Sequence, residues 1–159
     1  MSNDLLIADL ASKARRAAQS LKSASYSERQ RALHAIADAV ENNASAILAA
    51  NKEDTDRERA AGMSESLLDR LSLNPSRIAG IAGGARKVAE LDDPFGRIVR
   101  ERTLANGLHL TQLTVPFGVV GMVYEARPNV TVDAAVILLM SGNAALLRGS
   151  SSEIGRAHV

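Results

Sequence analysis

The chain has 159 residues, of which 46% are hydrophobic, 3% aromatic and 23% charged, and its formal net charge is +1. This composition is typical of a chain that forms a core, and the near-zero charge gives no general attraction to nucleic acid or to an anionic membrane. The absence of cysteine excludes disulfides, thiolate metal ligands and a cysteine nucleophile within these residues. No apolar run reaches the roughly 18–20 residues of a membrane span and no secretory signal is visible, so the sequence predicts a soluble, cytoplasmic protein.

The N-terminal part is predicted to be helical, because apolar residues recur there every three or four positions. Ser27 followed by Gln30 has the spacing of a capping box and is expected to begin the second helix. A third helix over 47–61 carries the run NKEDTDRER, which is interpreted as a solvated face, and it is expected to end at Gly62. The predicted buried stripes include Leu6, Leu10, Ala14, Leu21, Leu33, Ala37 and Val40.

A further helix is predicted to begin at Asn74-Pro75, where a capping side chain precedes a proline in the first helical position. Three glycines, Gly80, Gly83 and Gly84, fall inside this helix. They are expected to allow close packing rather than to bind phosphate, because their spacing is not that of a dinucleotide-binding loop.

Two strands, 97–104 and 108–115, are predicted to form a hairpin around Asn106-Gly107, a strong signal for a tight turn. At least one face of this ribbon is expected to be exposed unless another subunit or further chain covers it. The continuous apolar run Val119–Tyr124 then predicts a strand buried on both faces. An apolar helix over 130–140 and a second strand over 144–147 complete a parallel βαβ unit, so the fold class is α/β.

The two loops that follow these parallel strands are expected to open onto one crevice, since ligands bind outside the carboxyl ends of such strands. The first loop offers Glu125, Arg127 and Asn129, and the second offers Arg148 with Gly149 and several serines. Backbone amides beside an arginine suit a phosphate group.

Each of these residues has a structural alternative. Asn129 stands where an N-cap of the following helix is expected, and Arg148 could be an ordinary surface arginine. His34 and His109 are interpreted as structural residues, and the sequence shows neither a catalytic triad nor a metal cluster. From chemistry alone, the residues indicate a nucleotide- or phosphate-binding α/β fragment.

The segment VPFGVVGMVYEARPNVTVDAAVILLMSGNAALLRG, residues 115–149, resembles the gamma-glutamyl phosphate reductases, also called glutamate-5-semialdehyde dehydrogenases, of the aldehyde dehydrogenase superfamily. The similarity continues upstream through ANKEDTDRERAAGMSESLLDRLSLNPSRIAGIA. The resemblance implies an N-terminal fragment of such an enzyme. Its expected fold is N-terminal helices, a β-hairpin and the first βαβ unit of a Rossmann-like sheet.

The resemblance implies that the parent enzyme uses NADPH to reduce L-glutamyl 5-phosphate to L-glutamate 5-semialdehyde and phosphate in proline biosynthesis. That family uses a cysteine nucleophile, which this chain lacks, so the fragment is expected to be inactive alone. The alternatives are a fragment of another aldehyde or acyl-phosphate dehydrogenase, and a non-catalytic dinucleotide-binding module.

By the same resemblance, Asn129 is a catalytic residue that stabilises an oxyanion. Arg148 is expected to bind the 2′-phosphate of NADP(H), with Gly149 and Ser150 beside it. Glu125 and Arg127 are assigned to the glutamyl phosphate substrate.

The resemblance also assigns segments. It implies a helical part of the cofactor-binding domain at 1–96, an oligomerisation hairpin at 97–116 that would make the complete enzyme a homo-oligomer, and the start of the cofactor-binding core at 117–152. The last residues, 153–159, read EIGRAHV, which resembles a translated sequencing adapter, and are interpreted as a non-native tail; the alternative is a helix start after a serine-rich loop.

Overall fold

The computed structural model describes residues 3–125 and 127–150, and the predicted tail at 153–159 lies outside them. The elements in chain order are α1 (Asn3–Ser23), α2 (Tyr26–Asn42), α3 (Ala44–Ala60), α4 (Glu65–Leu71), α5 (Pro75–Ala89), β1 (Ile98–Thr103), β2 (His109–Leu113), β3 (Val119–Val123), α6 (Pro128–Met140) and β4 (Ala144–Arg148). This order confirms the predicted α/β class, with helices, then a hairpin, then a βαβ unit. None of the described helices is both long and apolar enough to cross a bilayer.

The hydrophobic core lies where α2, α5 and α6 pack against one another. Small side chains on α5 let the neighbouring helices approach, and the predicted stripes of α2 and α5 are the buried faces. The buried cluster consists of Leu33, Ala37, Ala82, Ala85, Ala89, Val136 and Met140.

The second helix begins two residues earlier than predicted. Ser25, not Ser27, is its N-cap, because Ser25 has an extended backbone while Ser27 lies inside α2. The Ser25 hydroxyl accepts from the backbone N–H of Glu28 at 3.3 Å, and the Glu28 carboxylate accepts from the backbone N–H of Ser25 at 2.7 Å. The hydrogen bonds from Ser25 hold the pKa of the Glu28 carboxyl below its ordinary value.

The prediction that the charged run of α3 is a solvated face is wrong in part. Asn51, Asp54 and Thr55 are buried, because the α4 segment packs on this side of α3. Each has a polar partner: Asn51 contacts the α4–α5 connection, Asp54 accepts from Arg57, and Thr55 donates to a backbone carbonyl of its own helix. The predicted helix end is confirmed by the left-handed backbone of Gly62, at φ +85°.

The start of α5 is as predicted, since the Asn74 side chain accepts from the backbone N–H of Arg77 at 2.8 Å. The expectation of close packing at its glycines is wrong for Gly80 and Gly83, because a Cβ there would meet nothing within 4 Å among the described residues. At Gly84 a Cβ would lie in ordinary contact, 3.9 Å from Asp133 Oδ1.

The hairpin prediction is confirmed. β1 and β2 pair antiparallel, and Gly107 in the turn has φ +84°. Every side chain of the two strands is exposed in the described structure.

The βαβ prediction is confirmed in topology, since β3 and β4 are parallel. α1 packs on this unit through Ala14 and Ala18, which contact Ala144. The expectation that β3 is buried on both faces is wrong for the described residues. Because β4 is its single described neighbour in the sheet, Val123 remains 83% exposed.

Arg29 connects the helical core to the turn that leads into the hairpin. Its side chain is 2% exposed, donates to the Met140 carbonyl at 2.7 Å and forms a two-point ion pair with Asp93 at 2.8 and 2.9 Å. Its guanidinium stacks 3.8 Å from the ring centre of Phe95. Gly142 lies against the same ring, so that a Cβ on it would be 1.9 Å from Phe95 Cζ.

Candidate functional site

The two loops predicted to share a crevice begin side by side. Parallel pairing places Val123 opposite Arg148, and the backbone N–H of Tyr124 donates to the Arg148 carbonyl at 3.0 Å. Arg148 is exposed at this edge. The Ser150 hydroxyl oxygen nearby is buried and has no hydrogen-bond partner among the described residues.

Asn129 is not the N-cap of α6. The helix begins at Pro128 with Arg127 in the capping position, so Asn129 lies in the first turn. Its side-chain Nδ2 donates to the Asp133 carboxylate at 2.9 Å, one helical turn further on. An amide nitrogen carries two hydrogens, and this bond uses one of them. The alternative reading of Asn129 as a helix cap is therefore wrong.

A contact that the sequence did not reveal connects β3 with α6. The hydroxyls of Tyr124 and Thr131 share a hydrogen bond of 2.6 Å. This bond links the residue that follows β3 to the first turn of α6.

An open cleft of about 520 Å³ lies between the α4–α5 connection and the N-terminal end of α6. It is lined by Asp69, Arg70, Ser72, Leu73, Arg77, Gly80, Ile81, Arg127, Pro128, Asn129 and Asp133. Of the predicted site residues, the structure brings Arg127 and Asn129 together here. Glu125, Arg148, Gly149 and Ser150 are outside this lining, and the last three lie along the β4 end.

The opposite wall of the cleft was missed by the sequence reading. Arg70 and Arg77 lie fifty or more residues before Arg127, and no motif spacing links them, so only the fold brings them to one cleft. The described residues contain no group of histidine, aspartate and glutamate side chains that could hold a metal ion. His34 and His109 are outside the cleft lining, and His109 shares a hydrogen bond with Thr103.

No protein-family model matches this chain, but solved structures do, among them two gamma-glutamyl phosphate reductases. The gamma-glutamyl phosphate reductase of Thermotoga maritima is 38% identical, with a TM-score of 0.87, over 91% of this chain and 35% of that chain. The gamma-glutamyl phosphate reductase of Saccharomyces cerevisiae is 37% identical, with a TM-score of 0.88, over 98% of this chain and 39% of that chain.

The fold is of the α/β class, and both matched proteins are reductases. This chain is similar to gamma-glutamyl phosphate reductases over nearly all of its length, which confirms the resemblance predicted from residues 115–149. It spans between a third and two fifths of the length of those reductases, as expected of a fragment.

Proposed function

We propose that this chain is part of an enzyme that reduces L-glutamyl 5-phosphate with NADPH to L-glutamate 5-semialdehyde, releasing phosphate, as a step of proline biosynthesis. The observation that carries the proposal is the joint agreement of sequence and fold with two such reductases over at least 91% of this chain.

Asn129 is proposed to stabilise the oxyanion that forms when the acyl carbonyl is attacked. Asp133 holds one amide hydrogen of Asn129, which fixes the plane of the amide and leaves the second hydrogen available to a substrate oxygen in the cleft. A pre-oriented donor of this kind contributes about 2.7–4 kcal/mol to transition-state stabilisation.

The residues after β4 fit a phosphorylated dinucleotide. Arg148 is exposed at the strand end, where its planar guanidinium can bind the 2′-phosphate of NADP(H) through two parallel hydrogen bonds. Gly149 and Ser150 follow it directly in the chain, and their backbone amides can bind the cofactor's adjacent oxygens. When bound, the cofactor supplies the hydride that reduces the acyl carbon.

Arg127 and Glu125 are both proposed to contact the substrate, and the structure supports the role of Arg127 more than that of Glu125. Arg127 lines the cleft beside Asn129, so its charge can act on the phosphoryl group that leaves. Glu125 is exposed and outside the cleft lining, so its role is supported by position in the loop alone.

We propose that the catalytic nucleophile lies outside this sequence and that the complete enzyme assembles from more than one subunit. The reaction needs a thiolate, which this chain does not contain, so we expect the chain alone to be inactive. The exposed hairpin formed by β1 and β2 is the proposed contact between subunits, because it presents two strands whose side chains have no cover. We further propose a cytoplasmic location, as expected of an enzyme of amino-acid biosynthesis.

The test is to express the complete reading frame that contains this sequence and to measure reduction of NADP⁺ by L-glutamate 5-semialdehyde in the presence of inorganic phosphate, which the reverse reaction consumes. We expect activity, and we expect Asn129→Ala to lower kcat by about 100- to 1,000-fold while the unfolding midpoint is unchanged. A complete protein without semialdehyde-dependent activity would refute the proposal. A variant whose loss follows its unfolding would instead make Asn129 structural.

A further inference from the structure

The three arginines that line the cleft differ in what they contact. Arg77 is committed to the protein: it donates to the backbone carbonyls of Asp69 and Ser72 and pairs with the Asp69 carboxylate at 3.0 Å. Arg70 is exposed and makes no hydrogen bond or ion pair within the described part of the chain. Arg77 therefore holds the wall together, and Arg70 is the cation of this wall that a ligand can engage.

Hydrogen bonds on the buried side of the molecule hold the segment at the end of α4 that carries Arg70. Asn51, 3% exposed, donates from Nδ2 to the Leu71 carbonyl at 2.9 Å and accepts at Oδ1 from the backbone N–H of Leu73 at 2.5 Å. The Ser72 hydroxyl also donates to the Leu68 carbonyl at 2.6 Å. A buried amide with both of its groups paired fixes the backbone on either side of Ser72. The Arg70 backbone is thus held in place before any ligand binds.

The charges of the cleft favour an anion. Three arginines and two aspartates line it, and both aspartates are already engaged. Asp69 pairs with Arg77, and Asp133 accepts from Asn129. The unpaired charge on the α4–α5 wall is that of Arg70, across the cleft from the first turn of α6.

We propose that Arg70 determines substrate specificity in this cleft by binding the carboxylate of an acidic acyl substrate whose reacting carbonyl lies at Asn129. The inference rests on the proposed function, because it takes the substrate to be an acyl phosphate of an acidic amino acid. The guanidinium recognises a carboxylate through two parallel hydrogen bonds, and the Asn51 contacts set the position of the Arg70 backbone.

The test compares Arg70→Ala with the unmodified enzyme from the complete reading frame. For L-glutamate 5-semialdehyde we expect KM to rise roughly 10- to 100-fold, the loss of one or two hydrogen bonds to a charged group. The KM for NADP⁺ and the unfolding midpoint should stay unchanged. For butanal, which has no carboxylate, kcat/KM should be equal in the two enzymes. Arg70→Lys should recover part of the loss, and Arg31→Ala, an exposed arginine of α2 outside the cleft, should behave as the unmodified enzyme.

Two measurements separate this inference from the proposed function. If the unmodified enzyme is active and Arg70→Ala keeps its KM, or loses activity equally on butanal, the Arg70 inference is overturned while the function stands. Calorimetric titration with L-glutamate tests the Arg70 inference if the unmodified protein is inactive. Binding that weakens in Arg70→Ala supports a carboxylate site even in an inactive protein, and absence of binding in an inactive protein overturns both.

Discussion

The helical half of this molecule (α2, α5 and α6) buries its apolar side chains, whereas the strand-bearing half (β1 to β3 and their connections) leaves large apolar side chains exposed. Where α2, α5 and α6 meet, Leu33 and Ala85 are fully buried. In the strand-bearing half, Phe117 is 93% exposed and Val123 is 83% exposed. Exposed apolar side chains of this kind are typical of interaction surfaces, whereas the helices hold the buried core of the described structure. The candidate cleft is built by the stable half, from the α4–α5 connection and α6.

The largest loss of stability is predicted for a substitution at the contact between Gly142 and Phe95, where the two halves meet. Gly142→Ala should lower the free energy of unfolding by about 4 kcal/mol, because its φ of +69° strains a residue with a side chain and the new methyl overlaps Phe95. Urea unfolding followed by circular dichroism measures the change.

The matched control for Gly142 is Gly83→Ala, which should raise the free energy of unfolding by about 0.5–1 kcal/mol. Gly83 is helical and a Cβ there meets nothing within 4 Å. Equal effects of the two alanines would mean that Phe95 does not lie against Gly142.

The second largest loss of stability is expected on replacing Arg29, whose guanidinium stacks on the same Phe95 ring. Arg29→Met should cost about 3 kcal/mol, because it removes the donor to the Met140 carbonyl and leaves the partly buried Asp93 carboxylate without its cation, with only the Phe95 backbone N–H still donating to it in the described structure. The control is Arg16→Met on α1, whose guanidinium contacts only an exposed serine in the described structure. Urea midpoints that agree for the two variants would contradict the assigned role of Arg29.

Truncation of one leucine in each half tests the contrast directly. Leu33→Ala should cost about 2.5 kcal/mol, since the side chain is fully buried. Leu113→Ala in β2, where the side chain is 49% exposed, should cost less than about 0.5 kcal/mol in the isolated subunit. Thermal unfolding measures both changes. A larger loss of stability for Leu113→Ala than for Leu33→Ala would contradict the contrast between the buried helices and the exposed strands.

The smallest predicted effect concerns pH and the cap of α2. Hydrogen bonds from Ser25 lower the pKa of Glu28 in the folded protein below its ordinary 4.5. The stabilisation they give is complete above that value and is lost as the pH falls through the folded-state pKa. Glu28→Gln should therefore flatten the fall in stability below pH 4.5, whereas Glu53→Gln, on α3 with no such cap, should not. Parallel stability curves for all three proteins would contradict this.

The success of sequence reasoning varied with how local the determining contacts are. Asn74-Pro75 and Asn106-Gly107 were predicted correctly because a cap and a tight turn depend on adjacent residues. The N-cap prediction at Ser27 was wrong because Ser25 also has an acceptor, Glu28, three positions on, and the backbone conformation places the cap at Ser25.

Features that depend on distant contacts were not predictable in this way. Asn51 reads as part of a solvated charge run, yet it is buried because its amide fits the α4–α5 connection about twenty residues on. Within the site, Arg127 and Asn129 line one cleft, but Arg148 and its neighbours, expected at the same crevice, are outside its lining. Arg70 and Asp133 became visible as its lining only in the folded chain. Sequence patterns carry little information on pairings that only the tertiary fold creates.

The central claim is that these residues belong to an acyl-phosphate reductase, and the phosphate requirement of the reverse reaction tests it most directly. The enzyme from the complete reading frame is given L-glutamate 5-semialdehyde and NADP⁺, with and without inorganic phosphate. We predict NADPH formation that depends on phosphate, because phosphate must attack the acyl group to complete the reverse reaction. NADPH formation at the same rate without phosphate would identify a hydrolytic aldehyde dehydrogenase and contradict the account.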